Sequence, residues 1–302
     1  MKLAHIINPV KVDTNSDLHV AQPITFETIR TASELAKGKV GVELYTVCYP
    51  EDREIIPDFF NRLPDLERSI QDFGKFSRTK KYPLIGDVLQ AVFAATDAEY
   101  LIYTNMDIAL MPQFYVAVAG ILKEGYDAVL VNRRGISTKY RSIADLPMMY
   151  SEFGKPHPGF DCFVFKRELL NKLILADVCI GVPFIEVSLT HNLIAFADRL
   201  KLVDDLHLTF HLGSEVMPPV DEEYYRHNRK EYEQKIYPRI KSNLDISKFP
   251  YSNLPVYKRM LKWALNPVFR THQVAELEGK SLGRRLKHTI DGWRFGLMDK
   301  IK

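Results

Sequence analysis

The sequence predicts an α/β fold, a mostly parallel sheet flanked by helices, and three observations carry that prediction. Apolar runs of strand length alternate with helical patterns along most of the chain. The first such unit is a strand from Leu3 to Val10, a helix from Ile24 to Ala36 and a strand from Val40 to Tyr49, the order expected of a right-handed βαβ crossover. Successive strands also stop at polar residues, at Glu51-Asp52, Asn105-Met106-Asp107, Arg133-Arg134 and His211. In an open α/β sheet the crevice beyond the carboxyl ends of the strands is where ligands bind, so these residues are placed at the mouth of one site.

The elements follow in order. Asn8-Pro9 ends the first strand, and the polar stretch Lys11 to Pro23 reads as a loop. Ile24, Ile29, Ala32, Leu35 and Ala36 then form a helical face closed by Gly38. Arg53 to Gly74 reads as irregular helix broken at Pro57 and Pro64, and Lys75 to Lys81 as a basic loop. Leu84, Val88, Ala91, Val92 and Ala95 give the next helix one apolar face, and it feeds the strand Tyr100 to Tyr103. After Pro112 come a helix, Phe114 to Lys123, with Gly125 as its cap, and a strand, Ala128 to Asn132. Ile136 to Pro158 lacks periodicity, which in a compact domain marks a functional loop. A strand Cys162 to Phe165, helical residues Arg167 to Leu175 and a helix Val187 to Asp198 complete this part, with strands among Leu202 to Phe210 ending at His211.

Two domains are expected, residues 1–213 and a mainly helical basic extension, 214–302. In the extension a charged helix opens at Asp221. Later, Leu282, Leu286, Ile290, Trp293, Leu297 and Ile301 recur at three- and four-residue steps among Arg284, Arg285, Lys287, Arg294 and Lys300. Such a stripe serves a peripheral contact with a membrane, a homodimer interface, or a cap on the chain's own body. From Tyr251 onward there are 11 Lys or Arg against 4 Asp or Glu, which leaves 30 against 34 in the rest. The tail lacks any nucleic-acid-binding module, so nucleic acid is not an expected partner.

The chain has 302 residues, 46% hydrophobic and 26% charged, as in ordinary globular proteins. No apolar run reaches the roughly 18 to 20 residues of a membrane span, and the N-terminus opens straight into a strand-like segment. A cytoplasmic location is therefore expected, with contact at the inner membrane face left open. Cys48, Cys162 and Cys179 are too scattered for a zinc cluster or a disulfide framework and read as buried small hydrophobes.

The centre of the pattern is Tyr100-Leu101-Ile102-Tyr103-Thr104-Asn105-Met106-Asp107. The spacing of Asn105 and Asp107 puts both side chains on one face of an extended chain, where their oxygens can hold a hard divalent cation; the other reading is a plain turn after a strand. The helix, the strand ending in Asn105-Met106-Asp107, the Ala128 to Asn132 strand closing at Arg133, and Gly159-Phe160-Asp161 before Cys162 to Phe165 together resemble GT-A-fold glycosyltransferases of the family-2 type. The resemblance spans Leu3 to Gly213 by element order.

That resemblance implies transfer of a sugar from a nucleotide-sugar donor to a saccharide or lipid-linked acceptor, assisted by Mn²⁺ or Mg²⁺ and inverting at the anomeric carbon. Asn105 and Asp107 match the Asp-x-Asp metal motif, with Asn in the first place, and His211 matches the family's downstream metal-binding histidine. Glu186 matches the catalytic base, with helix capping as its other reading, and Asp161 is the alternative base or acceptor-binding group. Glu51 and Asp52 match the base-binding position of the nucleotide site, while Arg78, Lys80, Lys81 and Arg133 are candidates for the diphosphate. A catalytically silent binding or scaffold protein is the alternative, because Asn105 adds no charge. A nucleotidyltransferase is less favoured, because Asn8-Pro9-Val10-Lys11 contains no glycine-rich loop.

Overall fold

The computed structural model describes residues 1–213 and 221–266, and Gly279. The chain divides into two compact units, Met1–Ser242 and Asn243–Lys302. The first unit therefore runs beyond residue 213 and takes in the charged helical segment.

The first unit is built from β1 (Lys2–Ile7), α1 (Asp17–Ala36), β2 (Gly41–Thr46), β3 (Asn61–Arg62), α2 (Ile85–Ala95), β4 (Tyr100–Thr104), β5 (Ala109–Leu110), α3 (Phe114–Lys123), β6 (Ala128–Val131) and β7 (Arg134–Ile136). It continues with α4 (Leu146–Ser151), β8 (Lys155–Pro156), β9 (Cys162–Lys166), α5 (Ile185–Phe196), β10 (Leu200–Val203), β11 (Thr209–Leu212), α6 (Glu222–Lys230) and α7 (Tyr237–Ile240). Seven strands form the main sheet in the order β10-β6-β9-β4-β1-β2-β3. Every pairing is parallel except those of β9, which runs against both β4 and β6. This is the predicted α/β class, a mostly parallel sheet with helices around it.

One face of that sheet is covered by α1 and α3. Leu3, Ile7, Tyr100, Ile102, Val129, Val131, Cys162 and Val164 share a core with Phe26, Ile29 and Ala32 of α1 and Phe114, Val118 and Leu122 of α3. Side chains alternate along a strand, so Leu101, Tyr103, Leu130 and Phe163 point to the other face, and all are buried there. Burial on both faces is why these strands read as unbroken apolar runs.

Several local expectations give way. α1 starts at Asp17, not Ile24, and carries Pro23 inside it. Proline deletes one backbone hydrogen bond, but Ala21, Ile24, Phe26 and Ile29 are buried around it, and buried Gln22 clasps the loop after β1 through Val10 N (3.0 Å) and Val10 O (2.7 Å). The expected irregular helix from Arg53 to Gly74 is instead a 3₁₀ turn at Pro50–Ile55, the edge strand β3 and a second turn at Ile70–Phe73. Arg167–Lys172 is also 3₁₀. The three thiols are free and buried.

A second sheet, β5-β11-β7-β8, takes two of its strands, β7 and β8, from the long segment after β6. Between α4 and β8, Gly154 has φ +62° and an added Cβ would lie 2.5 Å from the Gly135 carbonyl oxygen. Gly154→Ala is expected to destabilise the protein by about 1 to 3 kcal/mol. Gly120, in α3, has open space at the Cβ position, and Gly120→Ala should stabilise by about 0.5 to 1 kcal/mol. Urea midpoints of the two variants check the opposite signs.

In the second unit, α8 (Val256–Leu265) buries Trp263, whose indole N–H donates to Pro250 O at 2.9 Å. The stretch 282–301, and with it the expected membrane or dimer contact, lies outside the described residues. Among the described residues no helix is long and apolar enough to cross a membrane.

Candidate active site

The antiparallel strand β9 gathers the site. In its register Cys162 stands opposite Thr104, the last residue of β4, and also opposite Val131, the last residue of β6. Asp161, Asn105 and Asn132, one step beyond, therefore emerge at one level along the same sheet edge. The second sheet adds His211, because Phe210 pairs with Ala109 and His211 with Gly135. Residues separated by up to about a hundred positions thus meet at the carboxyl ends of the parallel strands.

The end of β4 is fixed from within. His5 bridges Thr104 Oγ1 at 2.9 Å and Tyr115 Oη at 2.7 Å, and burial lowers its pKa to about 3, so the bridge is made by a neutral ring. Tyr103 Oη donates to Asn105 Oδ1 at 2.8 Å. The Asn105 carbonyl is thus already engaged with its neighbour.

Asp107 Oδ2 lies 3.2 Å from His211 Nε2, with the two side chains 30% and 18% exposed. Asp107 Oδ1 is buried and has no hydrogen-bond partner among the described residues. Burial alone would raise the Asp107 carboxyl, but the hydrogen bond and charge of His211, with Arg133, hold it below its ordinary value. His211 Nδ1 sits 3.4 Å from the Gly213 carbonyl, which can only accept. With the proton on Nδ1, Nε2 presents a lone pair to a carboxylate, and that pairing calls for a proton or a cation between them.

Such a pair also suits a divalent ion. Bonds of about 2.1 Å at right angles set two ligand atoms about 3 Å apart. Among the described residues no group of three His, Cys, Asp or Glu gathers to hold a metal. Among the described residues Asp107 and His211 are the pair whose spacing suits such an ion, and the Asn105 carbonyl, which accepts one hydrogen bond from Tyr103, keeps a second lone pair beside them.

Beside this pair, Arg133 Nη1 binds Asp161 Oδ1 at 2.9 Å, and His157 Nδ1 faces Asp161 Oδ2 at 3.4 Å. All three are at most 11% exposed. Sequence reasoning named Arg133 and Asp161 separately and missed both their pairing and His157. The signal available was the position of His157 at the end of an aperiodic loop, four residues before Asp161.

Glu186 lies in the first turn of α5, where the helix begins two residues earlier than its hydrophobic pattern predicts. The preceding Phe184 is left-handed at φ +87°, a strained position for a bulky residue. Burial, then the nearby charge of Asp161, raise the Glu186 carboxyl to about 7, with Asp107 adding to the shift while its own backbone N–H and Arg133 oppose it. No ion pair to Glu186 forms among the described residues. Strained backbone and a shifted carboxyl coincide where acid–base work is placed in many enzymes.

The remaining candidates lie apart from this cluster in their bonding. Glu51 and Lys81 pair with each other at 2.7 Å on the surface. Asp52 is buried, accepts from Lys11 N at 2.7 Å, and is raised by that burial, so it ties the loop after β1 to the turn after β2. Arg78 and Lys80 both meet Asp221, at 3.1 and 3.3 Å, at the start of α6. His207 is half-buried beside Phe153 and makes no ion pair with the cluster.

No family model matches the chain, and no curated protein matches it. Among solved structures it is similar to Staphylococcus aureus TarS 1-349 in complex with UDP-GlcNAc, at 12% identity over 87% of this chain and 78% of that one, with a TM-score of 0.46. It is also similar to glucosyl-3-phosphoglycerate synthase from Mycobacterium tuberculosis in complex with Mn²⁺, UDP and glucosyl-3-phosphoglycerate, at 18% identity over 79% and 80% of the chains, with a TM-score of 0.46.

Proposed function

We propose that the protein is a glycosyltransferase that moves a sugar from a nucleotide-sugar donor to an acceptor hydroxyl, with Glu186 as general base. The observation that carries this reading is the carboxyl of Glu186, raised to about 7, in the same strand-end cluster as the Asp107–His211 pair. A base poised near neutral pH beside a two-donor cation site is what nucleophilic displacement of a nucleoside diphosphate needs.

Asp107 and His211 would hold Mn²⁺ or Mg²⁺, which supplies positive charge to the departing diphosphate. The chain's own residues do the rest. Glu186 takes the proton of the acceptor hydroxyl as that oxygen attacks the anomeric carbon, while the bond from that carbon to the phosphate oxygen breaks and its electrons leave with the diphosphate. A single displacement of this kind inverts the anomeric centre. Asp161 is less suited to be the base, because its Oδ1 is held in an ion pair by Arg133. It instead fixes Arg133, whose guanidinium stands close enough to influence both Asp107 and Glu186.

Calorimetric titration with a panel of nucleotide sugars, with and without Mn²⁺ or Mg²⁺, tests the reading. The expected result is binding of at least one donor that tightens when metal is present. Absence of binding to every donor under both conditions overturns it.

A further inference from the structure

We propose that Asn228, in α6, is a positioning residue for Glu186: its side chain fills the centre of the turn that launches α5 and so sets where the carboxylate stands. This rests on the reading of Glu186 as the base.

The Asn228 side chain is fully buried. Its Oδ1 accepts from Cys179 N at 2.9 Å, and its Nδ2 donates to Cys179 O at 2.9 Å, Pro183 O at 3.1 Å and Val182 O at 3.3 Å. The amide thus closes a two-way pair with one end of the loop and grips the other end through the same nitrogen. The outer side of residues 178–180 is held separately, by Ile85 N to Val178 O at 3.0 Å and Ile180 N to Pro83 O at 2.8 Å.

Between the two grips the chain must reverse, and Gly181 does so at φ +81°. Immediately after the second grip comes Phe184 at φ +87°, then the first turn of α5, whose Ser188 N bonds Phe184 O at 2.9 Å. A left-handed conformation at a bulky residue is strained and persists only where surrounding bonds over-determine it. The Asn228 bonds to Val182 and Pro183 lie directly before Phe184 in the chain, and the Phe184 ring packs against Tyr225 and Tyr232. Among the described residues none of Asn228's hydrogen bonds reaches the Asp107–His211 pair, so its grip bears on the turn before the base and not on the cation site.

The chemistry of the position is narrow. Aspartate matches the shape but has no N–H to give to three carbonyls, and it buries a charge against them. Alanine leaves those carbonyls and Cys179 N without a partner.

Two variants, Asn228→Asp and Asn228→Ala, test the proposal. With a nucleotide-sugar donor, kcat is expected to fall about 10- to 100-fold while the donor KM stays within about twofold, the signature of a displaced reacting group and an intact binding site. Independently of turnover, carboxyl-labelled Glu186 can be titrated by NMR, with Asp161, Arg133 and Asp107 as the charged groups around it. Its midpoint should drop toward the ordinary glutamate value in the variants, because a loosened turn admits water. Unchanged kcat and an unchanged midpoint in folded variants overturn the proposal, as does loss of folding in both, which would make Asn228 a residue of the fold alone. A wild-type protein that transfers no sugar defeats the glycosyltransferase reading, whereas the NMR midpoints still decide whether Asn228 positions Glu186.

Discussion

Glu186→Gln lowers kcat for sugar transfer by about 10²- to 10⁴-fold and leaves donor affinity nearly unchanged, because it removes proton acceptance and little else. In the wild type the rate is expected to rise as Glu186 loses its proton, through a midpoint near its raised pKa of about 7, and to level off above it. The Gln variant's residual rate should lack that rise. Stability moves the other way. A carboxyl raised in the fold contributes stability that is complete below its unfolded value of about 4.5 and is lost as pH climbs through about 7. At pH 8 the Gln variant should therefore melt no lower than the wild type, since it no longer buries a charge. Rate–pH profiles with thermal melts at pH 5 and pH 8 check both halves. A variant that keeps wild-type kcat removes Glu186 from the mechanism and returns attention to Asp161.

Asp107→Ala is expected to lower kcat/KM by about 10²- to 10³-fold and to abolish the effect of Mn²⁺ or Mg²⁺ on donor binding. Asp107 brings the carboxylate of the two-donor pair, and its buried Oδ1 has no other hydrogen-bond partner among the described residues. His211→Ala should act in the same direction, and the double variant should be little worse than the more damaging single change, because two ligands of one ion fail as a unit. Metal-dependent calorimetry on the three variants decides it. Additive losses would mean that Asp107 and His211 do separate jobs and do not share a cation.

Asn105 is the place where the two levels of reading differ most. As a residue it matched the first position of a metal motif with a weaker donor. In the fold its carbonyl accepts from Tyr103 Oη, so it is tied to the strand that delivers it. The basic residues show the same difference. Arg78, Lys80 and Lys81 were grouped by sequence proximity, yet two of them meet Asp221 from a helix about 140 positions away, and the third meets Glu51. Charge in a sequence locates a loop, and the partner that holds it comes from elsewhere.

The sequence alone determined the class of fold and the level at which the candidate site residues lie. Apolar runs buried on both faces and ending in polar residues are local signals, since alternation and strand length are properties of neighbouring residues. Only the tertiary structure decided which polar ends meet. β9 runs antiparallel between β4 and β6, and that single reversal brings Asp161 to the edge shared with Asn105 and Arg133; the second sheet then places His211 on Asp107. Strand direction and register are set by burial summed over the whole core. A side chain such as Asn228, which holds the turn before Glu186 from another helix, leaves no mark in the residues around Glu186 itself.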